Sequence, residues 1–135
     1  MMHDEPIATP FSRYVFVYGT LRAGGSNDIR RFRPAPRYVA SARIAGTLYH
    51  LGGYPGVVLG GEGRVQGEIW QVDPAVEAQL DVLEDVRPDG TGEYRRTSVA
   101  VEVDQSTFDC LVYEINPDRL RGNPVIASGD WMRAR

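Results

Sequence analysis

The sequence predicts an α+β domain built around a curled, mostly antiparallel sheet. Several short β-branched and aromatic runs alternate with glycine- and proline-bearing turns, and one amphipathic helix is clearly marked among them. The chain has 135 residues, 42% hydrophobic and 24% charged, which is enough for one buried core and too little for two. One domain over 13–135 is expected, preceded by a loose leader over 1–12 that carries mixed charge, two prolines and no periodicity.

The first strand is Tyr14-Val15-Phe16-Val17-Tyr18, aromatic and β-branched on both faces and closed by Gly19. Beyond it, Ser26-Asn27-Asp28 can cap a short helix over Ile29 to Phe32 that Pro34 ends. Tyr38 to Leu51 reads as a long strand with a bend or bulge at Gly46. Tyr54-Pro55-Gly56 and Gly60-Gly61-Glu62-Gly63 are turn signals flanking a short strand over Val57 to Leu59, and Val65 to Val72 is a further strand.

Asp73-Pro74 is the clearest helix start, because Asp caps free amides and Pro suits the first helical position. Glu77 is placed as a capping-box partner. The helix is expected from Pro74 to about Asp85, with Val76, Leu80 and Leu83 as its buried stripe. After the loop Arg87 to Glu93, strands are expected over Tyr94 to Val103 and Thr107 to Ile115, joined by a turn at Asp104-Gln105-Ser106. Gly46 and the many short strands permit closure into a barrel.

Net charge of −3 leaves no basic field for a phosphate backbone, and the Arg30, Arg31, Arg33 and Arg37 cluster reads as a solvated face, so no nucleic-acid partner is expected. No stretch reaches the roughly 18 apolar residues of a membrane span, and the start lacks a signal-peptide layout. The single cysteine, Cys110, forms no internal disulfide. These features point to a cytoplasmic protein with no membrane partner. Neither a metal nor a cofactor is expected, since His3, His50 and Cys110 do not make a ligand set. Cys110 reads as a packed core residue and His50 as a structural strand residue.

Two features remain for chemistry. Gly19-Thr20-Leu21-Arg22-Ala23-Gly24-Gly25 follows a buried strand but lacks the endings of a nucleotide loop. It is either an ordinary tight turn or a small nest of amides suited to a carboxylate. Glu84 falls beside the helix's apolar stripe, whereas Glu77 and Asp81 fall at more solvent-facing positions. A carboxyl partly withdrawn from water gains proton affinity and becomes a better acid-base group near neutral pH. Glu84 is therefore the best-placed acid.

In chain order, Val15-Phe16-Val17-Tyr18-Gly19-Thr20-Leu21-Arg22, Gly53-Tyr54-Pro55-Gly56, Val65-Gln66-Gly67-Glu68-Ile69-Trp70, Leu80-Asp81-Val82-Leu83-Glu84 and Glu93-Tyr94-Arg95-Arg96 resemble the gamma-glutamylcyclotransferase-like family, in particular its short gamma-glutamylamine cyclotransferase branch. Ser128-Gly129-Asp130-Trp131 adds to the likeness, which covers Tyr14 to Trp131. The resemblance implies a small closed or nearly closed mixed β-barrel flanked by a few helices. It implies cofactor-free cyclisation of a γ-glutamyl amine or peptide to 5-oxoproline with release of the amine. Glu84 matches the family's acid-base residue, Tyr18, Gly19, Thr20 and Leu21 its substrate loop, and Tyr94 a pocket tyrosine. The loop from Asp85 to Glu93 is longer than the family's connection. The alternative is a non-catalytic carboxylate-binding module on the same fold.

Overall fold

The computed structural model describes residues 12–134. The expected leader lies outside the described residues except for Ser12, which leads into the first strand. Among the described residues, five strands form one sheet in the order β2-β3-β1-β5-β4, with β1 Arg13–Val17, β2 Arg37–His50, β3 Pro55–Val72, β4 Tyr94–Val103 and β5 Ser106–Ile115. Neighbours are antiparallel except β1 with β5, so the sheet is mixed. It curls like a barrel, but among the described residues β2 and β4 remain unjoined edges, so the sheet does not close.

The curl follows from unequal strand lengths. β1 has five residues and β3 has 18. The second half of β3 pairs with β1, from Val72 opposite Arg13 to Glu68 opposite Val17. Its first half extends beyond the end of β1 and meets β5 directly, Val57 opposite Glu114. The bend between the halves is made by Gly60-Gly61-Glu62-Gly63. Where two short strands around a turn were expected, one strand runs through. Ala45 pairs with Arg64 and Gly46 with Leu59, leaving the four residues between as a bulge. Gly60 and Gly61 take φ of 96° and 80°, which suits residues without a Cβ. The irregularity expected at Gly46 is its counterpart on β2.

β1 is buried on both faces, and its alternation divides the core in two. Val15 and Val17 join Trp70, Val72, Leu111 and Ile115 on the side covered by the helix α1, Pro74–Leu83. Phe16 and Tyr18 join Ile44, Leu48, Ile69, Val101 and Val112 in a core to which all five strands contribute. Among the described residues, three short elements complete the structure: 3-10 turns at Ile29–Arg31 and Pro117–Arg119, and α2 at Trp131–Ala134. The first 3-10 turn is capped by Asp28, as expected. Arg30 and Arg31 bond back to Asp28 and Asn27, and Arg33 to the carbonyls of Arg30 and Phe32.

The helix begins as predicted, with the Asp73 carboxylate accepting the Ala75 N–H. Its details differ. It docks through Val76 and Leu80, both fully buried, and burying two such side chains contributes about 4 kcal/mol. Leu83 is 42% exposed and not part of the core stripe, because the helix stops there and Glu84 is its C-cap. Glu77 makes no capping box. Its carboxylate pairs with Arg13 of β1 and Arg96 of β4. Asp81 likewise pairs with Arg96 and accepts the Tyr113 hydroxyl at 2.7 Å. The two acids expected to face solvent thus bind α1 to the sheet.

Candidate functional site

A cavity of about 200 Å³ opens where β1 ends, between the start of β3, the C-terminus of α1 and the start of β4. Tyr18, Gly19, Thr20, Leu21, Glu84 and Tyr94 all line it. The fold therefore brings together these six residues singled out in the sequence, although 76 positions separate Tyr18 from Tyr94.

The turn after β1 closes through the Arg22 N–H donating to the Gly19 carbonyl at 3.0 Å. Asn27 fastens its outer side, its N–H on the Thr20 carbonyl at 2.9 Å and its amide on the Thr20 hydroxyl at 3.1 Å. Among the described residues, the N–H groups of Gly19, Thr20 and Leu21 donate to no acceptor. Consecutive free amides of this kind make a concavity for an anion. Gly19 is required by a close approach, since a Cβ there would lie 2.6 Å from Pro55 Cγ.

Glu84 stands across the cavity at the end of α1, its N–H bonded to the Leu80 carbonyl at 2.9 Å. Its carboxyl makes no hydrogen bond among the described residues. Burial, and then the negative charge of Glu93, push it from 4.5 up to about 7. The helix end adds carbonyl dipoles that also disfavour a negative charge there. Glu93 is held nearby by the long loop that follows α1. Asp85, at φ 55°, turns the chain, and its backbone and side-chain oxygens both accept the Glu93 N–H at 3.1 Å. Asn116 secures the same loop through the carbonyls of Gly90 and Gly92. The extended Asp85 to Glu93 connection thus carries a second carboxylate to the cavity wall.

The tyrosines are largely committed to structure. Tyr18 donates to the Tyr113 carbonyl at 2.6 Å and accepts the Val57 N–H at 3.2 Å. Its hydroxyl replaces the β1 backbone in the gap between β3 and β5. Tyr94 donates to the Pro55 carbonyl at 2.6 Å. Burial raises both phenols far above their ordinary range, so they stay protonated donors. The Tyr54 hydroxyl donates to Glu93 at the cavity mouth, and that bond, with burial, raises it to about 12.

Tyr54, Glu93 and Tyr113 line the cavity but were not singled out as site residues. Tyr54 and Glu93 lie inside sequence blocks that carried the family likeness, which was the available signal. Tyr113 reads locally only as a strand residue. Cys110 is buried in the core, its thiol pushed up to about 12 by that burial. His50 packs edge-on against Trp131 at 5.1 Å and accepts the Gly52 N–H, outside this cavity. Among the described residues, no group of three or more His, Cys, Asp or Glu side chains can hold a metal, and no helix is long and apolar enough to cross a membrane.

The curled α+β domain thus sets a partly withdrawn carboxyl, with no hydrogen bond among the described residues, opposite a turn of free amides. The chain belongs to the gamma-glutamyl cyclotransferase, AIG2-like family, whose model matches residues 15–133. A Vibrio cholerae protein, named provisionally as a gamma-glutamylcyclotransferase, is 38% identical over 125 residues, covering 87% of this chain and 93% of that one. The gamma-glutamylcyclotransferase family protein YtfP of Escherichia coli is 34% identical, covering 87% and 95%. The crystal structure of an AIG2-like protein from Mus musculus superposes with a TM-score of 0.68 at 26% identity, covering 84% of each chain.

Proposed function

We propose that the protein cyclises the γ-glutamyl group of a γ-glutamyl amine or peptide to 5-oxoproline and releases the free amine. The observation that carries this reading is the Glu84 carboxyl, lining the cavity without a hydrogen-bond partner among the described residues, opposite the free amides of Gly19, Thr20 and Leu21. A γ-glutamyl compound supplies what such a pair of features needs: an α-carboxylate for the amides and an α-ammonium for the carboxylate.

In the reaction, the substrate's α-nitrogen attacks its own γ-carbonyl, forming the ring C–N bond, and the bond to the amine breaks. Glu84 first takes a proton from the ammonium, which frees the lone pair for attack; the two protons that the α-nitrogen loses in becoming the lactam N–H end on the departing nitrogen, which leaves as an ammonium, so the enzyme ends unchanged. A group with proton affinity near 7 is suited to both transfers. Holding the chain folded does much of the remaining work, because a well-oriented intramolecular attack has an effective molarity of about 10⁵ M or more. The amides fix the α-carboxylate, and Tyr94, whose hydroxyl is occupied by Pro55, shapes the wall.

Incubation with a panel of γ-glutamyl amino acids and γ-glutamyl amines, assayed for 5-oxoproline, tests the reading. Release by the native protein and a loss of about 10²- to 10⁴-fold in Glu84→Gln is expected. Equal turnover in folded Glu84→Gln would remove Glu84 from its role. Binding of panel members without turnover would make the protein a carboxylate-binding module instead.

A further inference from the structure

Arg22 follows the amide turn and points away from the cavity it helps to build. Its guanidinium lies between two carboxylates, with Nε 3.3 Å from Glu68 on β3 and Nη1 2.8 Å from Asp130 near the chain's end. These partners are 46 and 108 positions away in sequence. The three side chains are 11% to 19% exposed. Glu68 gathers two further donors on its other oxygen, the Ala23 N–H and the Trp70 indole N–H, each at 3.0 Å. It therefore grips the chain just past the cradle by both main chain and side chain. Asp130 also accepts the Met132 N–H at 3.1 Å, and its turn is tied to β3 through the Gln66 N–H on the Gly129 carbonyl at 2.8 Å.

We propose that Arg22, Glu68 and Asp130 are positioning residues for the substrate cradle, and that the Ser128-Gly129-Asp130-Trp131 turn is part of the site's scaffold. The backbone N–H of Arg22 closes the turn on Gly19, so wherever its side chain is anchored, the three free amides follow. Asn27 holds the outer side of that turn, and the carboxylate pair holds the inner side. Between the two anchors the amides keep one spacing without help from a ligand. A paired, hydrogen-bonded buried cation does this better than apolar packing, because its directional bonds specify one geometry. None of the three residues lines the cavity, so each acts through the turn and does not touch substrate.

The kinetic arm of the test rests on the cyclotransferase reading, and a second arm does not. Asp130→Ala removes one anchor and keeps the Gly129 tie, while Asp130→Asn keeps an acceptor for Arg22. With a γ-glutamyl substrate, Asp130→Ala is expected to raise KM and the Kd of 5-oxoproline by about tenfold and change kcat by less than about threefold, with Asp130→Asn restoring most of the loss. Independently of turnover, NMR order parameters of the Gly19, Thr20 and Leu21 amides should fall from about 0.85 to below about 0.7 in Asp130→Ala and recover in Asp130→Asn. Order parameters unchanged at those three amides would overturn the proposal. So would an equal fall across β4 and β5, which signals a general structural role. If the native protein turns over no panel member, the NMR arm alone decides.

Discussion

Replacing Glu84 by Gln should make the protein more stable at alkaline pH. Glutamine matches the size and polarity of the protonated acid but cannot ionise. In the fold the carboxyl is raised from 4.5 to about 7, by burial first and by Glu93 second. Between those values the folded protein holds this proton and the unfolded chain does not, so native stability falls as pH rises across that window. The gap corresponds to about 3 kcal/mol at most, at about 1.4 kcal/mol per pH unit. Above pH 7 the full difference is present, and below 4.5 both states are protonated and it vanishes. For a domain of this size, about 3 kcal/mol moves Tm by about 10 °C. Thermal melts of native and Glu84→Gln proteins from pH 4 to 8.5 read the effect, and the difference between the two curves cancels every other titrating group. The Tm difference should be near zero at pH 4 and grow through pH 7 in favour of the variant. A difference that is flat with pH would show that Glu84 is not held against its charge, and the reasoning that makes it an acid-base group would fall.

Glu93→Gln removes the like charge beside Glu84 while leaving an oxygen for the Tyr54 hydroxyl. The acid limb of kcat/KM, which should rise through about pH 7 as Glu84 ionises, is then expected to move to lower pH, but only part of the way to 4.5, because burial is the larger cause; a pH-rate profile reads it. Tyr18→Phe leaves the Val57 N–H and the Tyr113 carbonyl buried without the hydroxyl that joins them. A loss of about 2 to 4 kcal/mol in denaturant unfolding is expected, against nearly none if the hydroxyl were idle.

Much of the frame was legible locally. The double-sided burial of β1 is written in Tyr14 to Tyr18, and the helix start in Asp73-Pro74, since strand character and capping depend on residues within a turn of one another. The placement of Glu84 beside Leu80 likewise follows from helical spacing. Leu83 shows the limit of that reasoning. Its spacing assigned it to the buried stripe, but the helix ended there and left it at the cavity rim. Gly60 to Gly63 show another, because the same glycines that end a strand also let one bend and continue, and only the partner strand β2 selects between the two.

By itself the sequence determined an α+β fold, a tight turn after a buried strand and a carboxylate at the edge of an apolar helix face. Tertiary structure alone decided that turn and carboxylate share one cavity, that Glu93 crowds Glu84, and that Arg22 is clasped between Glu68 and Asp130. The division has one cause. Backbone preferences act over a few residues, whereas burial and charge act through space, and 108 positions of chain lie between Arg22 and the carboxylate 2.8 Å from it.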